Sequence, residues 1–306
     1  MRNLDLDSLE IFRSVARQGG VVRAAEALHR VPSNVTTRLK QLEQRLGLAL
    51  FRRQGRGLAL TADGQRLLGH AERLLALADA AEGELRDASL QGPLRLGSLE
   101  AAAATRLPPL LARLHAQRPQ LRVELQTGTT GALLQRLAAW QLEAALVSEP
   151  FTPGPGLQAL QSRPVFDEEL VLITPAGQAP VQRPADLADA TLIAFAQGCS
   201  YRQRLLQWLG GGQVLPARAL EMSSYTAIIA CVAAGTGCAI VPAAVLDGLT
   251  AAAHVQRHAL PPAIARNRTH LVWQGTPSPA LAALMDLLPD LGQRRARTPR
   301  RRSTGA

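Results

Sequence analysis

The stretch LHRVPSNVTTRLKQLEQRLG, Leu28 to Gly47, decides how this chain is read. Val35, Leu39, Leu42 and Leu46 recur at i, i+4, i+7 and i+11, which puts them on one face of an α-helix. Pro32 suits a first helical position and Gly47 a helix end. The outer face then carries Asn34, Thr37, Arg38, Gln41 and Arg45, and Ser33, Thr36 and Lys40 crowd the same N-terminal half. Free backbone N–H groups and the helix dipole favour phosphate at such an end. Asn can pair with adenine, Ser or Thr with several bases, and Arg38 with guanine or a phosphate. The plainer alternative is that Ser33 or Asn34 caps a surface helix. One cap would serve that purpose, whereas four small polar groups and two cations in one patch suit a polyanion better.

Upstream, Asp7 and Glu10 have the spacing of a capping box, and Leu9, Phe12, Val15 and Ala16 follow at helical spacing until Gly19-Gly20. Ala24, Ala25 and Leu28 give a second, short helix whose small residues allow another helix to approach closely. Three helices within 50 residues, the last two joined by a tight turn at His29–Val31, read as a helix-turn-helix. In such motifs the N-terminal residues of the last helix reach base edges in the major groove. Downstream, LALFRRQGRGLALT gives two short strands around RRQGRG, a hairpin wing with Arg52, Arg53 and Arg56 at its tip, placed to contact phosphates.

The charge distribution agrees. Of the net +10, residues 1–60 hold 11 basic and 5 acidic residues, residues 291–306 hold 6 Arg and no acid, and the 230 residues between them are slightly acidic. A near-neutral body with a basic head indicates a local polyanion contact. The tail RRARTPRRRSTGA has no apolar face and reads as disordered.

Residues 6–66 resemble the winged helix-turn-helix of LysR-type transcriptional regulators, through AAEALH, TTRLKQLEQRLGLALF and, after the wing, LTADGQRLL, in order and without gaps. Two positions depart from the usual pattern. Val22 stands where Ser or Thr commonly opens the second helix, and Pro32-Ser33 where Gln-Pro is common at the start of the third. The resemblance implies double-stranded DNA as partner, an interrupted palindrome as its target, and a homo-oligomer, dimer or tetramer, as the binding form.

Thr61 is a plausible N-cap for a long helix along which Leu67, Ala71, Leu74, Ala78, Ala81 and Leu85 alternate by four and three, with Leu68 and Leu75 widening the stripe. This predicts a dimerising linker over residues 61–90. Packing on its own body domain is the alternative; in the resembled family this helix joins two subunits.

After Gln91-Gly92-Pro93, strand and helix patterns alternate: PLRLGS, TRLPPLLARLHAQR, LRVELQTG, GALLQRLAAWQ and EAALVS, then a second series from Phe166 through ELVLITP, ATLIAF and CAIVP. Alternation of this kind implies parallel sheets. The segment THLVWQ with PALAALMDLL returns to the first lobe. The expected architecture is therefore α/β: a winged helix-turn-helix (1–60), a linker helix (61–90), a two-lobed periplasmic-binding-protein-like effector domain (91–293) and a basic tail (294–306). The first lobe covers about 91–162 and 266–293, the second about 163–265.

Ligands of such sheets sit beyond the carboxyl ends of the strands, near helix N-termini. That rule selects Ser98, Leu99, Glu100, Thr127, Gly128, Thr129, Ser148, Cys199, Ser200, Tyr201, Ser223 and Tyr225 as lining for a small-molecule effector. Each alone could equally be a cap or a turn. GSLE, CSYR and SYTAIIACVAAGTG resemble most the regulators of putrescine utilisation, which implies an amine or other small metabolite met by Glu100 or Glu221.

No enzyme is expected. HExxH, GxSxG and a Walker loop are missing, and GTGCAI follows a helix rather than a strand. The six His and three Cys lack metal-ligand spacing, so no metal and no cofactor is expected. Cys199 beside Arg202 leaves a redox-responsive regulator as one alternative, and a solute-binding protein with a basic head as another. No apolar run follows Arg2, and the 22 uncharged residues Tyr225–Leu246 contain Gly235-Thr236-Gly237 and Pro242, so a buried helix, turn and strand are expected there. These features point to the cytoplasm, without a membrane partner.

Overall fold

The computed structural model describes residues 4–54, 57–85, 93–157, 159–214, 216 and 218–291. They form two compact units: a head up to residue 85 and a body comprising nearly all the rest.

The head runs α1 (Leu6–Gln18), α2 (Val21–Ala27), α3 (Pro32–Leu46), β1 (Phe51–Gln54), β2 (Gly57–Leu60) and α4 (Ala62–Leu85). Asp5 caps α1, accepting the Ser8 N–H at 2.8 Å and the Ser8 hydroxyl at 2.9 Å. The Asp7–Glu10 spacing is therefore not the cap, and Asp7 is left in the first turn to face Arg30. Gly19 and Gly47 end α1 and α3 in the left-handed conformation, both at φ 67°. Leu9, Ile11, Phe12 and Val15 of α1 meet Ala24 and Ala25 of α2, Val35, Leu39 and Leu42 of α3, and Leu50. Each fully buried Leu, Ile or Phe stabilises the fold by about 1.5–3 kcal/mol. β1 and β2 pair antiparallel, with Phe51 opposite Leu60. Thr61 caps α4, accepting the Gly64 N–H at 3.0 Å and donating to the Ala49 carbonyl at 2.7 Å.

The inner face of α4 closes this core. Ala71 is fully buried, Leu75 nearly so, and Leu67 and Leu68 pack against the same cluster. Leu67 and Ala71, expected in a seam between subunits, are thus consumed by the head itself, because α1 needs an apolar cover on that side. Leu74, Leu77 and Ala81 are exposed and Ala78 is half-buried. The Leu85 side chain, Arg56 at the wing tip, residues 86–92 and the basic tail lie outside the described residues.

The body contains β3 (Leu94–Ser98), α5 (Glu100–Thr105), α6 (Leu107–Gln117), β4 (Val123–Thr127), α7 (Thr130–Ala138), β5 (Ala144–Ser148), β6 (Gln161–Pro175), β7 (Thr191–Ala194), α8 (Ser200–Gly211), β8 (Arg218–Glu221), α9 (Tyr225–Ala233), β9 (Ala239–Pro242), α10 (Ala243–Asp247), β10 (Val255–His258), α11 (Pro262–Ala265), β11 (Arg266–Trp273) and α12 (Pro279–Leu287). The first lobe has strand order β4-β3-β5-β11-β6, with β3 parallel to β4 and β5, and β11 antiparallel to β5 and β6. In the second lobe β9 and β10 flank β6, and the parallel pair β7-β8 joins at the Leu192–Cys238 bridge.

The 15-residue β6 belongs to both lobes. Gln161–Glu169 pair with β11, whereas Leu170–Pro175 pair with β9 and β10. The lobe boundary therefore falls within the strand near Leu170, not near 162, because an unbroken extended chain can serve two sheets in succession. The uncharged segment from Tyr225 to Leu246 is α9, a turn with Gly235 at φ 88°, β9 and part of α10. Among the described residues no helix is long and apolar enough to cross a membrane.

Candidate functional site

The head presents one polar face. Val31 occupies the N-cap position of α3 and no side chain caps the helix, so neither Ser33 nor Asn34 is spent on capping. Ser33, Asn34, Thr37, Arg38, Lys40 and Gln41 are exposed, while Val35, Leu39 and Leu42 turn inward. Thr36 differs: it is half-buried and its hydroxyl donates to the Pro32 carbonyl at 2.9 Å, which keeps it within the helix. Val31, Ser33, Asn34, Thr37, Arg38 and Gln41 line one shallow depression. Arg45, by contrast, is held by Asp5 at 2.8 Å and by the Ser8 hydroxyl at 2.8 Å. Arg38 lies 3.9 Å from Asp7, whose carboxylate is shared with Arg30. Arg52 and Arg53 of the wing are exposed.

In the body, Ser98, Thr127 and Ser148 end β3, β4 and β5, and the N-termini of α8 and α9 come from the second lobe. Two hydrogen bonds bridge the lobes there. Glu100, first residue of α5, accepts the Tyr225 N–H through both carboxylate oxygens, at 3.1 and 3.2 Å. Gly131 of α7 donates to the Gly198 carbonyl at 3.2 Å. A side chain at Gly198 would meet the Thr129 hydroxyl at 3.1 Å, and φ is +87°, so the approach needs glycine.

Ser148 is fully buried at the centre of a polar cluster. Its N–H donates to Thr130 Oγ1 at 3.2 Å and its hydroxyl to Asn267 Oδ1 at 2.9 Å. The Ser200 hydroxyl, the Tyr201 hydroxyl and Asn267 Nδ2 are buried without hydrogen-bond partners. Burial, with the Glu168 carboxylate nearby, pushes the Tyr201 phenol far up, so it stays a neutral hydroxyl; Ser148 is its polar neighbour, though not at good hydrogen-bond geometry. Glu168 is itself matched by a bidentate pair with Arg106 at 2.9 and 3.1 Å. Burial raises the Glu100 carboxyl, against the lowering effect of its bond to Tyr225.

The expected lining residues divide. Ser98, Leu99, Ser148, Cys199, Ser200, Tyr201 and Tyr225 are buried, Glu100, Gly128 and Thr129 half-buried, and Thr127 and Ser223 exposed. The Tyr225 ring packs edge-on to Phe195 at 4.6 Å within the second-lobe core, so only its backbone serves the bridge. Glu221, one of the two carboxylates expected to meet an amine, is paired with Arg202 at 2.7 Å. Sequence reading missed Asn267, Glu168, Arg106 and Arg204. They come from positions remote along the chain, and only the pairing of β6 with β11, which sets Asn267 opposite Glu168, brings two of them together. Among the described residues no group of three or more His, Cys, Asp or Glu could hold a metal ion.

Residues 87–293 match the LysR substrate binding domain, and residues 6–65 match the bacterial regulatory helix-turn-helix protein of the lysR family. The chain belongs to the LysR family: it is a LysR-type transcriptional regulator with an effector-binding domain, not an enzyme. It is 34% identical to the uncharacterized regulator YusT of Bacillus subtilis over 88% of this chain and 89% of that one. It is 36% identical to the regulator YofA of Bacillus velezensis over 84% and 88%. In fold it is similar to a full-length OxyR variant of Pseudomonas aeruginosa (TM-score 0.67, 23% identity, 94% and 95% coverage). It is also similar to full-length CbnR in complex with its target DNA (TM-score 0.65, 23% identity, 96% and 100% coverage).

Proposed function

We propose that the chain binds double-stranded DNA as a homo-oligomer, with α3 in the major groove and the wing on adjacent phosphates, and that a small molecule in the body's cleft alters that binding. The observation that carries this reading is the face of α3, where Ser33, Asn34, Thr37, Arg38, Lys40 and Gln41 are exposed together and none caps the helix. The exposed strip Leu74, Leu77 and Ala81 on α4 supports pairing of subunits. Two heads related by a two-fold axis would read half-sites about one helical turn, or a multiple of it, apart. This reading places the protein in the cytoplasm, with its DNA.

An amine such as putrescine, the finer reading of the resemblance, is not favoured. Glu100 is engaged by α9 and the exposed Glu221 is paired with Arg202, so an ammonium group would have to displace an existing partner at either carboxylate. We infer instead a small polar molecule with hydrogen-bond acceptors, met by the unpartnered Ser200, Tyr201 and Asn267 groups. The experiment is selection of bound duplexes from a random DNA pool by the full-length protein. An enriched inverted repeat with fixed spacing is the expected outcome. No enrichment at low salt, where phosphate contacts are strongest, overturns the reading.

A further inference from the structure

Helix α9 begins without a cap from its own segment. Ser224 occupies the N-cap position and makes no side-chain bond to the helix. The cap comes from the other lobe, where both oxygens of Glu100 lie within 3.2 Å of the Tyr225 nitrogen and the Ser224 hydroxyl stands beside them. Among the described residues no cation pairs with this carboxylate, whereas the buried Glu168 has Arg106. Among the described residues, the half-buried Glu100 carboxylate is met by the start of a helix in the opposite lobe, an arrangement that exists only while the lobes are together. The second bridge, from Gly131 to the Gly198 carbonyl, involves neither residue and closes the same cleft.

We infer that Glu100 is the positioning residue that holds the two lobes together, acting as a resident acceptor for the first N–H of α9. The inference rests on the reading of the body as an effector domain and adds how that domain is switched. An effector bearing a carboxylate or other strong acceptor competes with Glu100 for Tyr225 and so releases the latch. A merely local cap would influence α9 alone, whereas a latch also governs the Gly131 bridge.

That difference is measurable by hydrogen exchange on the full-length protein, with neither DNA nor ligand present. In Glu100→Ala, exchange is expected to rise at least about tenfold at the Tyr225 amide and equally at the Gly131 amide. Glu100→Gln keeps an acceptor oxygen in place and is expected to stay within about twofold of the wild type at both. Continued protection of Gly131 in Glu100→Ala overturns the latch, and so does a Glu100→Gln protein that opens as far as the Ala variant. Failure here leaves the regulator reading standing. That reading fails separately, if no DNA sequence is selected.

Discussion

Arg204 donates through Nε and Nη2 to the backbone carbonyl of Glu149, at 3.3 and 3.2 Å. Its Nη1 reaches the carbonyls of Ala263, Ile264 and Arg266 at 3.1, 3.4 and 3.0 Å. One side chain on α8, 90% buried, thus ties the segment leaving β5 to the segment entering β11. Removing it takes the donor from the buried Ile264 carbonyl and from the partly buried carbonyls of Glu149, Ala263 and Arg266; a buried carbonyl left unpaired costs about 1–3 kcal/mol. Arg204→Ala is expected to destabilise the body by about 3–5 kcal/mol, comparable to breaking a buried ion pair. Calorimetry of the full-length protein checks this, at roughly 2–4 °C per kcal/mol. Unfolding at the wild-type temperature would show that water replaces the guanidinium without cost.

How legible was this in the chain? The head was largely so, because Val35, Leu39, Leu42 and Leu46 set its helix period and Gly19 and Gly47 mark its ends by local conformational need. Asp5, not Asp7, caps α1, a choice made by Ser8 that a spacing pattern does not contain. On α4 a heptad stripe does not say which side a neighbouring helix will consume, and α1 consumes Leu67 and Ala71. In the body, strand ends pointed to Ser98, Ser148 and Ser200, but partners such as Asn267 and Arg106 depend on long-range pairing. The alternation of apolar residues along β6 is silent on where one sheet gives way to the next.

His258 gives the body a pH dependence. Its Nδ1 accepts the Val181 N–H at 3.0 Å, so the remaining proton of the neutral ring sits on Nε2, 2.7 Å from the Thr174 hydroxyl. Burial lowers its affinity for a proton. The unfolded chain therefore binds a proton more readily, and the stabilisation is complete above the unfolded pKa, about 6.5, and is lost as pH falls through the folded value. Unfolding temperature should drop between pH 7 and pH 5, and His258→Gln should flatten the lower part of that curve. A His258→Gln protein with the wild-type pH profile would assign the effect elsewhere.

Arg38 is expected to be the costliest exposed residue of α3 to lose. Arg38→Ala should weaken DNA binding by about 1–3 kcal/mol at the selected site if it reads a guanine. If it grips a phosphate instead, affinity falls for all sequences and the salt slope decreases by about 1. Fluorescence anisotropy at several salt concentrations separates the two. Unchanged affinity would remove α3 from the DNA interface.

Cys199 should be inert. Burial pushes its thiol up, against the lowering effect of the nearby Arg202 and Tyr201 N–H groups, and the thiolate is the reactive form. Native protein treated with iodoacetamide at neutral pH should label first at Cys231, which is only half-buried. Faster labelling at Cys199 would revive the redox-responsive alternative.

The last prediction concerns α4. Leu74 and Leu77 are 42% and 45% exposed in the single chain, three residues apart on one side of a 24-residue helix, with Ala81 one turn further on. Two such strips from two chains would bury each other with knobs-into-holes spacing, and nothing within the head needs them. Leu74→Arg places a charge in that strip without touching the core formed by Ala71 and Leu75, so the head should remain folded. Sedimentation velocity should then show the monomer at concentrations where the wild type is a dimer or larger. DNA affinity should fall much more than with Arg38→Ala, because the avidity of two linked heads is lost together with the second half-site. Ala71→Arg is the control: it should unfold the head, a loss of circular-dichroism signal that Leu74→Arg does not share. An oligomer that survives Leu74→Arg would mean that the subunits meet through other surfaces, and that the exposed leucines on α4 have some other neighbour.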